Sequence, residues 1–277
     1  MDAIWTRYNG ALLPTLPPDK ELCLTKQQIK KCVKDYNAVF ARWTSDFDCG
    51  HETEWWFCIR GGEICLAKLN PKQRYRIRRG LANTYVQRLS HTDVIKHIDD
   101  LYKVAVDSFS EYPEKYRPHI DYSQFIEEHS TAVNLDYWGC IDKSTNEFCG
   151  YAICGKQEKM VHLSVVKVSP QFLNNDVNAA LAYTICDYYL NSQKLKYVCD
   201  GERNIKHETN YQTFLIKTLG FRLAYCRLNV IYHPVVGLVV KCLYPFLPVV
   251  KLLSKHSKHI YTLYCVLKQE KITRSFK

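Results

Sequence analysis

The chain has 277 residues, 47% of them hydrophobic and 24% charged, which suffices for one or two buried cores and excludes a disordered chain. The formal charge is +10, concentrated at Lys68, Lys72, Arg74, Arg76, Arg78 and Arg79 and again between Lys241 and Lys277. Such clusters favour nucleic acid, acidic lipid or phosphorylated small molecules, against the plainer alternative of a solvated basic surface.

In chain order, a Pro-rich stretch (Leu13 to Pro18) precedes a predicted helix from Lys26 to about Ala41. The run EWWFCIR-GG-EICLAKL sets two apolar segments around Gly61-Gly62, the pattern of a β-hairpin. Asn70 at a cap position, Pro71 at the first helical place and Gly80 at the end predict a short basic helix. TYVQRLS alternates as a strand, and HTDVIKHIDDLYKVAVDSF places Ile95, Ile98, Leu101, Val104 and Ala105 on one helical face. From residue 135, LDYWGCID and EFCGYAICG form a second hairpin, and KMVHLSVVKVS a long third strand. A largely buried helix follows over 175–192, then the short strand LKYVCD, a helix over 207–219 ending at Gly220, and the strand FRLAYCRLNVIY. Hairpins followed by strand–helix–strand–helix–strand require a parallel crossover, so the fold class is α/β (α+β) with a mixed sheet. The expected organisation is an N-terminal extension over 1–80 with helix, β-hairpin and basic helix, a central domain over 81–232, and an apolar and basic C-terminal helix and strand over 233–277.

The thirteen cysteines are odd in number, scattered, and mostly set in apolar runs without a C-x-x-C pair, which points to reduced thiols and no disulfide frame. The N-terminus MDAIWTRYNGALLP carries no charged-then-apolar leader, so a cytoplasmic location is expected. No metal is expected, since Cys49-Gly50-His51 with Cys58 is the nearest constellation and its spacing is poor for zinc.

The segment VKVSPQFLNNDVNAAL, Val166 to Leu181, resembles the cofactor segment of the acyl-CoA N-acyltransferase (GNAT) superfamily. Val168, Pro170, Phe172, Val177, Ala180 and Leu181 fall at the matching positions, and IKTLGF (Ile216 to Phe221) resembles the helix end before the last strand of such domains. The resemblance implies a GNAT-like mixed central sheet with antiparallel N-terminal strands, splayed parallel strands and flanking helices. It also implies a cofactor-binding set of Val166, Val168, Leu173, Asn174, Asn175, Asp176, Val177 and Asn178, where family members hold the CoA pyrophosphate on backbone N–H groups at a helix N-terminus. Here Leu173, Asn174, Asp176 and Asn178 replace the usual basic or amide residue and three glycines, and Asp176 brings a negative charge to the pyrophosphate position. Ile216 stands where many members carry a Tyr. These departures resemble the Fem-type branch, which keeps the fold without the CoA loop and attaches amino acids from aminoacyl-tRNA to cell-wall precursors. Ile216-Lys217-x-x-Gly220 is similar to the Phe-Lys-x-x-Gly pattern of that branch, and Arg74 to Arg79 to its Arg-rich segment.

The chemistry so implied is N-acyl transfer, in which an acyl or aminoacyl group passes from acyl-CoA or aminoacyl-tRNA to an amine-bearing acceptor. Backbone atoms around Ser164 to Val168 would hold the oxyanion, and Glu202, Asp200 and His207 are the candidate proton acceptors. The alternative is a plain turn at Asp200-Gly201 and a helix start at His207-Glu208, with His162 a satisfied core or surface histidine. Arg74, Arg76, Arg78 and Arg79 either grip phosphates, tRNA among them, or form a solvated helix face. The run PVVGLVVKCLYPFLPVVKLL, Pro234 to Leu253, has bilayer-spanning length but is interrupted by Lys241, Pro245, Pro248 and Lys251. It either lies on an anionic membrane surface through residues 234–259, peripheral at the inner face, or is buried against the body or against a second copy in a homo-oligomer. The competing functional class is a non-catalytic GNAT-like module that binds a membrane surface or a protein partner.

Overall fold

The computed structural model describes residues 5–132, 134–206 and 210–276. The chain divides into two compact units, the first comprising Met1–Phe57, Glu202–Thr209 and Leu223–Lys277, the second Cys58–Gly201 and Asn210–Arg222. This replaces the expected three consecutive segments: the basic helix belongs to the second unit, and the N-terminal and C-terminal portions share the first.

The first unit is built on a four-stranded sheet of β1 (Trp5–Tyr8), β2 (Ala11–Pro14), β3 (Phe40–Ser45) and β11 (Arg227–Tyr232), in that order. β1 and β2 are antiparallel, β2 and β3 parallel, and β3 and β11 antiparallel with Arg227 opposite Ser45. Helix α1 (Lys26–Asp35) starts at a capping box between Thr25 and Gln28, which satisfies two of the otherwise unpaired N-terminal backbone donors. Its Ile29 and Val33, one turn apart, are buried with Leu12, Ala38 and Ala41. The segment expected as a C-terminal strand, HIYTLYCVL, lies in helix α10 (Lys258–Ser275). Its apolar residues also fit a helical stripe, and packing on the neighbouring helices decides the matter: Leu267 is buried with Val240 of α8 (Pro234–Leu243) and Val250 of α9 (Leu247–Leu253). A short 3-10 turn at Tyr244–Phe246, carrying Pro245, separates α8 from α9. Pro234–Leu253 is long and apolar enough to cross a membrane, with a mean hydropathy of 1.8 over its most apolar 18-residue window, 11% of which is buried.

In the second unit, six strands of the larger sheet lie in the order β4 (Trp56–Gly61), β9 (Tyr197–Glu202), β8 (Met160–Val168), β7 (Phe148–Lys156), β6 (Leu135–Asp142) and β5 (Thr84–Leu89). The pairs β5–β6, β6–β7 and β7–β8 are antiparallel and β8–β9 is parallel, as the hairpin-then-crossover pattern requires. One face of the sheet carries α6 (Val177–Cys186), extended by a π-helical turn at Asp187–Ser192, and α2 (Pro71–Asn83) packs on α6. Val177, Ala179, Leu181, Ile185 and Tyr189 fill the core with Cys140, Cys149, Cys154 and Val161 from the strands. The other face carries α4 (Ile98–Asp107) and α5 (Tyr122–Thr131), whose Leu101, Val104, Ala105 and Phe125 pack on Tyr137, Tyr151 and Ile153. Helix α7 (Asn210–Leu219) ends at Gly220, φ +67°, as expected, and β10 (Arg222–Tyr225) follows.

Four further expectations fail locally, the first being the helix predicted to about Ala41, which stops at Asp35 and leaves Phe40 and Ala41 to β3. No hairpin forms at Gly61-Gly62, because the side-chain amide of Asn191 takes the backbone of Ile64: Ile64 N–H donates to Asn191 Oδ1 (3.0 Å) and Asn191 Nδ2 donates to the Ile64 carbonyl (2.7 Å). The predicted helix over 91–109 breaks at His97 into α3 (His91–Lys96) and α4, which leaves Ile95 exposed. FRLAYCRLNVIY is two strands, β10 and β11, interrupted at Cys226, whose N–H donates to the carbonyl of Trp55.

Candidate active site

β8 and β9 pair over only three residues, Met160 with Tyr197, Val161 with Val198 and His162 with Cys199, although β8 runs on to Val168 and β9 to Glu202. Beyond His162 the two strands part. A bulge lies at the same place on the other edge of β8: Leu163 faces Cys154 and Val165 faces Ile153, so Ser164 is the extra residue. A bulge bends its strand and re-aims the backbone, here where the ladder with β9 ends. The β9-facing backbone of the Ser164–Val168 stretch therefore borders an opening between parallel strands, the arrangement proposed for an oxyanion site.

Polar groups gather at that opening. Gly201, φ +96°, turns β9 at its end, and a methyl group added there would stand 3.0 Å from His162 Nε2. His162 Nδ1 lies 3.4 Å from Ser164 Oγ, and burial lowers the imidazole pKa, so the ring is neutral at pH 7. Burial pushes the Asp200 carboxyl up to about 7, with a hydrogen bond from the Gln212 side chain opposing the shift. Gln212 Nε2 also reaches the Gly201 carbonyl at 3.4 Å. The buried hydroxyl of Tyr211 has no hydrogen-bond partner among the described residues, and burial, with Asp200 nearby, raises its pKa. A carboxyl that titrates near neutrality beside a strand opening is suited to accept a proton.

The candidate proton acceptors have different surroundings. Asp200 stands at the strand opening of the second unit. Glu202 belongs to the first unit, forms an ion pair with Arg42, and borders a cavity of 480 Å³ lined also by Phe40, Asn204, Cys265 and Gln269. Burial raises the Glu202 pKa and the Arg42 guanidinium opposes this. His207 lies outside the described residues. The residues that sequence patterns missed are Tyr211 and Gln212, since nothing in a helix start marks a side chain as facing the end of the strand before it.

The implied cofactor segment takes a form of its own. Pro170–Asn175 is a 3-10 turn in which Phe172 is buried and Leu173 is 40% exposed, with Asn174 exposed and Asn175 half-buried. Val168 and Val177 are buried in the core, while Val166 packs against it and Asn178 is half-buried. Asp176 adopts the left-handed conformation at the N-terminus of α6 and is 2% exposed. Its carboxylate is held by two arginines of α2, Arg76 Nε at 2.8 Å from Oδ1 and Arg79 Nη2 at 2.5 Å from Oδ2. Arg76 also donates to Thr218 Oγ1 at 3.2 Å, and Arg74 to the carbonyls of Ala67 and Leu69 at 3.1 and 3.0 Å. Of the Arg cluster, Arg74, Arg76 and Arg79 each have a partner within the protein, although Arg79, like Arg78, is exposed. A helix N-terminus attracts an anion, and here its N-cap residue brings a carboxylate that makes no cap hydrogen bond to α6 and is paired with the α2 arginines instead. These residues do not fit a CoA pyrophosphate at the N-terminus of α6.

Among the described residues no group of three or more His, Cys, Asp or Glu could hold a metal ion. No family model matches the sequence, and no curated protein matches it. In three dimensions the chain is similar to a domain assigned to a lysylphosphatidylglycerol synthetase from Agrobacterium fabrum, with a TM-score of 0.54 and 11% identity over 82% of this chain and 79% of that one. It is similar to FemX, with a TM-score of 0.51 and 11% identity over 72% and 73% of the two chains. It is also similar to L-PGS from Bacillus licheniformis, with a TM-score of 0.50 and 10% identity over 98% and 85%. The fold is therefore GNAT-like, a mixed α/β architecture with flanking helices that FemX shares.

Proposed function

We propose that the protein is an N-acyltransferase that moves an aminoacyl or acyl group from an ester donor to an amine, with Asp200 as the proton acceptor. The observation that carries this reading is the parting of β8 and β9 after His162 and Cys199, with a bulge at Ser164 and a carboxyl of pKa about 7 at the opening. In the proposed step the amine nitrogen attacks the ester carbonyl, the carbonyl oxygen takes up negative charge beside β8 backbone N–H groups, and Asp200 removes the nitrogen's proton. The C–O bond to the carrier then breaks as the C–N bond is completed, and the carrier's hydroxyl leaves with a proton. Gln212 keeps the Asp200 carboxylate hydrogen-bonded while it is ionised.

Asp176 argues for the donor class. Its carboxylate, paired with Arg76 and Arg79, puts a negative charge beside the place a CoA pyrophosphate would take, which favours an aminoacyl ester such as aminoacyl-tRNA. The likeness to FemX and to the lysylphosphatidylglycerol synthetase domain, whose name denotes a lysyl group joined to a lipid, agrees with that class. The test is transfer from labelled aminoacyl-tRNA and from acyl-CoA to a panel of amines, run with Asp200→Asn and Glu202→Gln. Transfer from the tRNA ester that falls at least about tenfold in Asp200→Asn supports the reading; transfer from neither donor, or an unchanged rate in Asp200→Asn, overturns it.

A second reading has its own observation. Val235, Leu238 and Val239 on α8, Phe246 in the turn after it, and Val249, Leu252 and Leu253 on α9 are exposed, beside the exposed Lys241, Lys251 and Lys255. An apolar helix face edged by lysines fits the interface of an anionic membrane, in an enzyme or in a module without activity.

A further inference from the structure

The face of the second unit's sheet covered by α4 and α5 contains a cavity of 390 Å³. That volume lies within the range of small-molecule sites. Its walls include Phe109, Phe125, Tyr137 and Tyr151, and two nitrogen-bearing side chains, Lys167 and His129, complete it.

Both nitrogens are under-used by the protein. Lys167 is half-buried, burial lowers its pKa, and its ammonium sits over the Phe109 ring, 3.8 Å from the centroid. It pairs with none of the described carboxylates. Glu128, which also borders the cavity, is exposed and accepts from Gln124 Nε2 at 2.6 Å. His129 is 8% exposed and stacks on Phe125. Its Nδ1 lies 2.8 Å from the Phe125 carbonyl. A carbonyl only accepts, so Nδ1 carries the proton and Nε2, on the other side of the ring, offers a lone pair. Burial lowers this imidazole pKa, which keeps the ring neutral, and Nε2 has no partner among the described residues. A buried acceptor without a donor is costly and marks a place where a ligand can contribute one.

We propose that this cavity binds a small aromatic acid bearing a hydrogen-bond donor, its acidic group on Lys167, its ring among the four aromatic walls and its hydroxyl or N–H on His129. A desolvated ammonium without a counter-charge favours an anion, the rings favour an aromatic body, and a lone-pair nitrogen favours a donor over an acceptor. The site does not depend on the transferase reading, because none of its side chains takes part in the proposed step.

The test is calorimetric titration of the whole protein with 3-(4-hydroxyphenyl)propionate, 3-phenylpropionate and 4-ethylphenol, so that the acid and the hydroxyl are removed in turn. The first compound is expected to bind most tightly, with a loss of about tenfold for each missing group. Lys167→Met is expected to abolish the advantage of the acid over 4-ethylphenol, and His129→Leu the advantage of the hydroxyl over 3-phenylpropionate. The series on the unaltered protein stands even where a variant folds poorly. Absence of binding by all three at millimolar concentration, equal binding of all three, or an acid preference that survives in folded Lys167→Met would overturn the proposal.

Discussion

Gly80 of α2 lies directly against the backbone of Asp176: a methyl group at Gly80 would come within 2.5 Å of the Asp176 carbonyl oxygen and 3.0 Å of Ala180 Cβ. That carbonyl accepts from the N–H groups of Ala179 and Ala180 and so begins α6. The absence of a side chain at Gly80 is what lets α2 bring Arg76 and Arg79 to the carboxylate of the same residue. Gly80→Ala is expected to force the helices apart and destabilise the protein by about 2–3 kcal/mol, measured by urea unfolding. A stability unchanged within error would mean that α2 shifts at little cost.

Asp176→Ala should leave two guanidinium groups facing a helix N-terminus with no counter-charge. Removing one partner of a fully buried pair costs about 3–5 kcal/mol, and with both arginines about two-fifths exposed a loss of about 2 kcal/mol is expected. Phosphate or pyrophosphate should then restore part of the loss by binding where the carboxylate was, seen as a rise in Tm with phosphate concentration in the variant and not in the unaltered protein. No rescue by either anion would show that the N-terminus of α6 is closed by more than Asp176.

The raised Asp200 pKa makes two linked predictions. Between the ordinary carboxyl value of 3.8 and about 7 the unfolded chain has released this proton while the folded protein retains it. Stability therefore falls as pH rises through that window, by at most about 1.4 kcal/mol per pH unit from this group. The difference in unfolding free energy between Asp200→Asn and the unaltered protein should grow in favour of the variant from pH 4 to 7 and level off above. Transfer activity should do the opposite, rising with pH through about 7 as the carboxylate forms. A difference that does not vary with pH would show that Asp200 titrates normally.

Sedimentation with vesicles tests the apolar face of α8 and α9. Vesicles rich in phosphatidylglycerol should retain the protein more than phosphatidylcholine vesicles, and added salt should weaken the retention. Leu238→Glu with Leu252→Glu places two charges among exposed residues and should lower retention without changing stability, since neither side chain is buried. Retention unaffected by the double substitution would remove this surface from the membrane reading.

Much of the second unit was legible because each of its signals is local. The β-branched run of β8, the apolar helix α6 and the Gly220 stop each depend on neighbours within a few residues. What escaped was long-range. The sequence marks the Arg cluster as anion-seeking and Asp176 as anion-repelling, two opposite signals, and their mutual satisfaction appears only when residues 100 positions apart meet. The failed hairpin at Gly61-Gly62 has the same cause, since Asn191, 127 positions away, takes the backbone of Ile64. Asp200 and Glu202 were alike as candidates until the left-handed Gly201 turned the chain between them.

The pairing of β3 with β11 also bears on biosynthesis. Asn229 Nδ2 meets Ser45 Oγ across 184 positions of sequence. At about 5–20 residues per second of translation, β3 leaves the ribosome roughly 10–40 s before its neighbour exists. During that interval the second unit has most of its strands to hand, while β3 presents an open edge to other nascent chains. Yield in a heterologous host should therefore depend on how well that early edge is shielded, by chaperones or by a slower rate of initiation, more than on the final stability of the molecule.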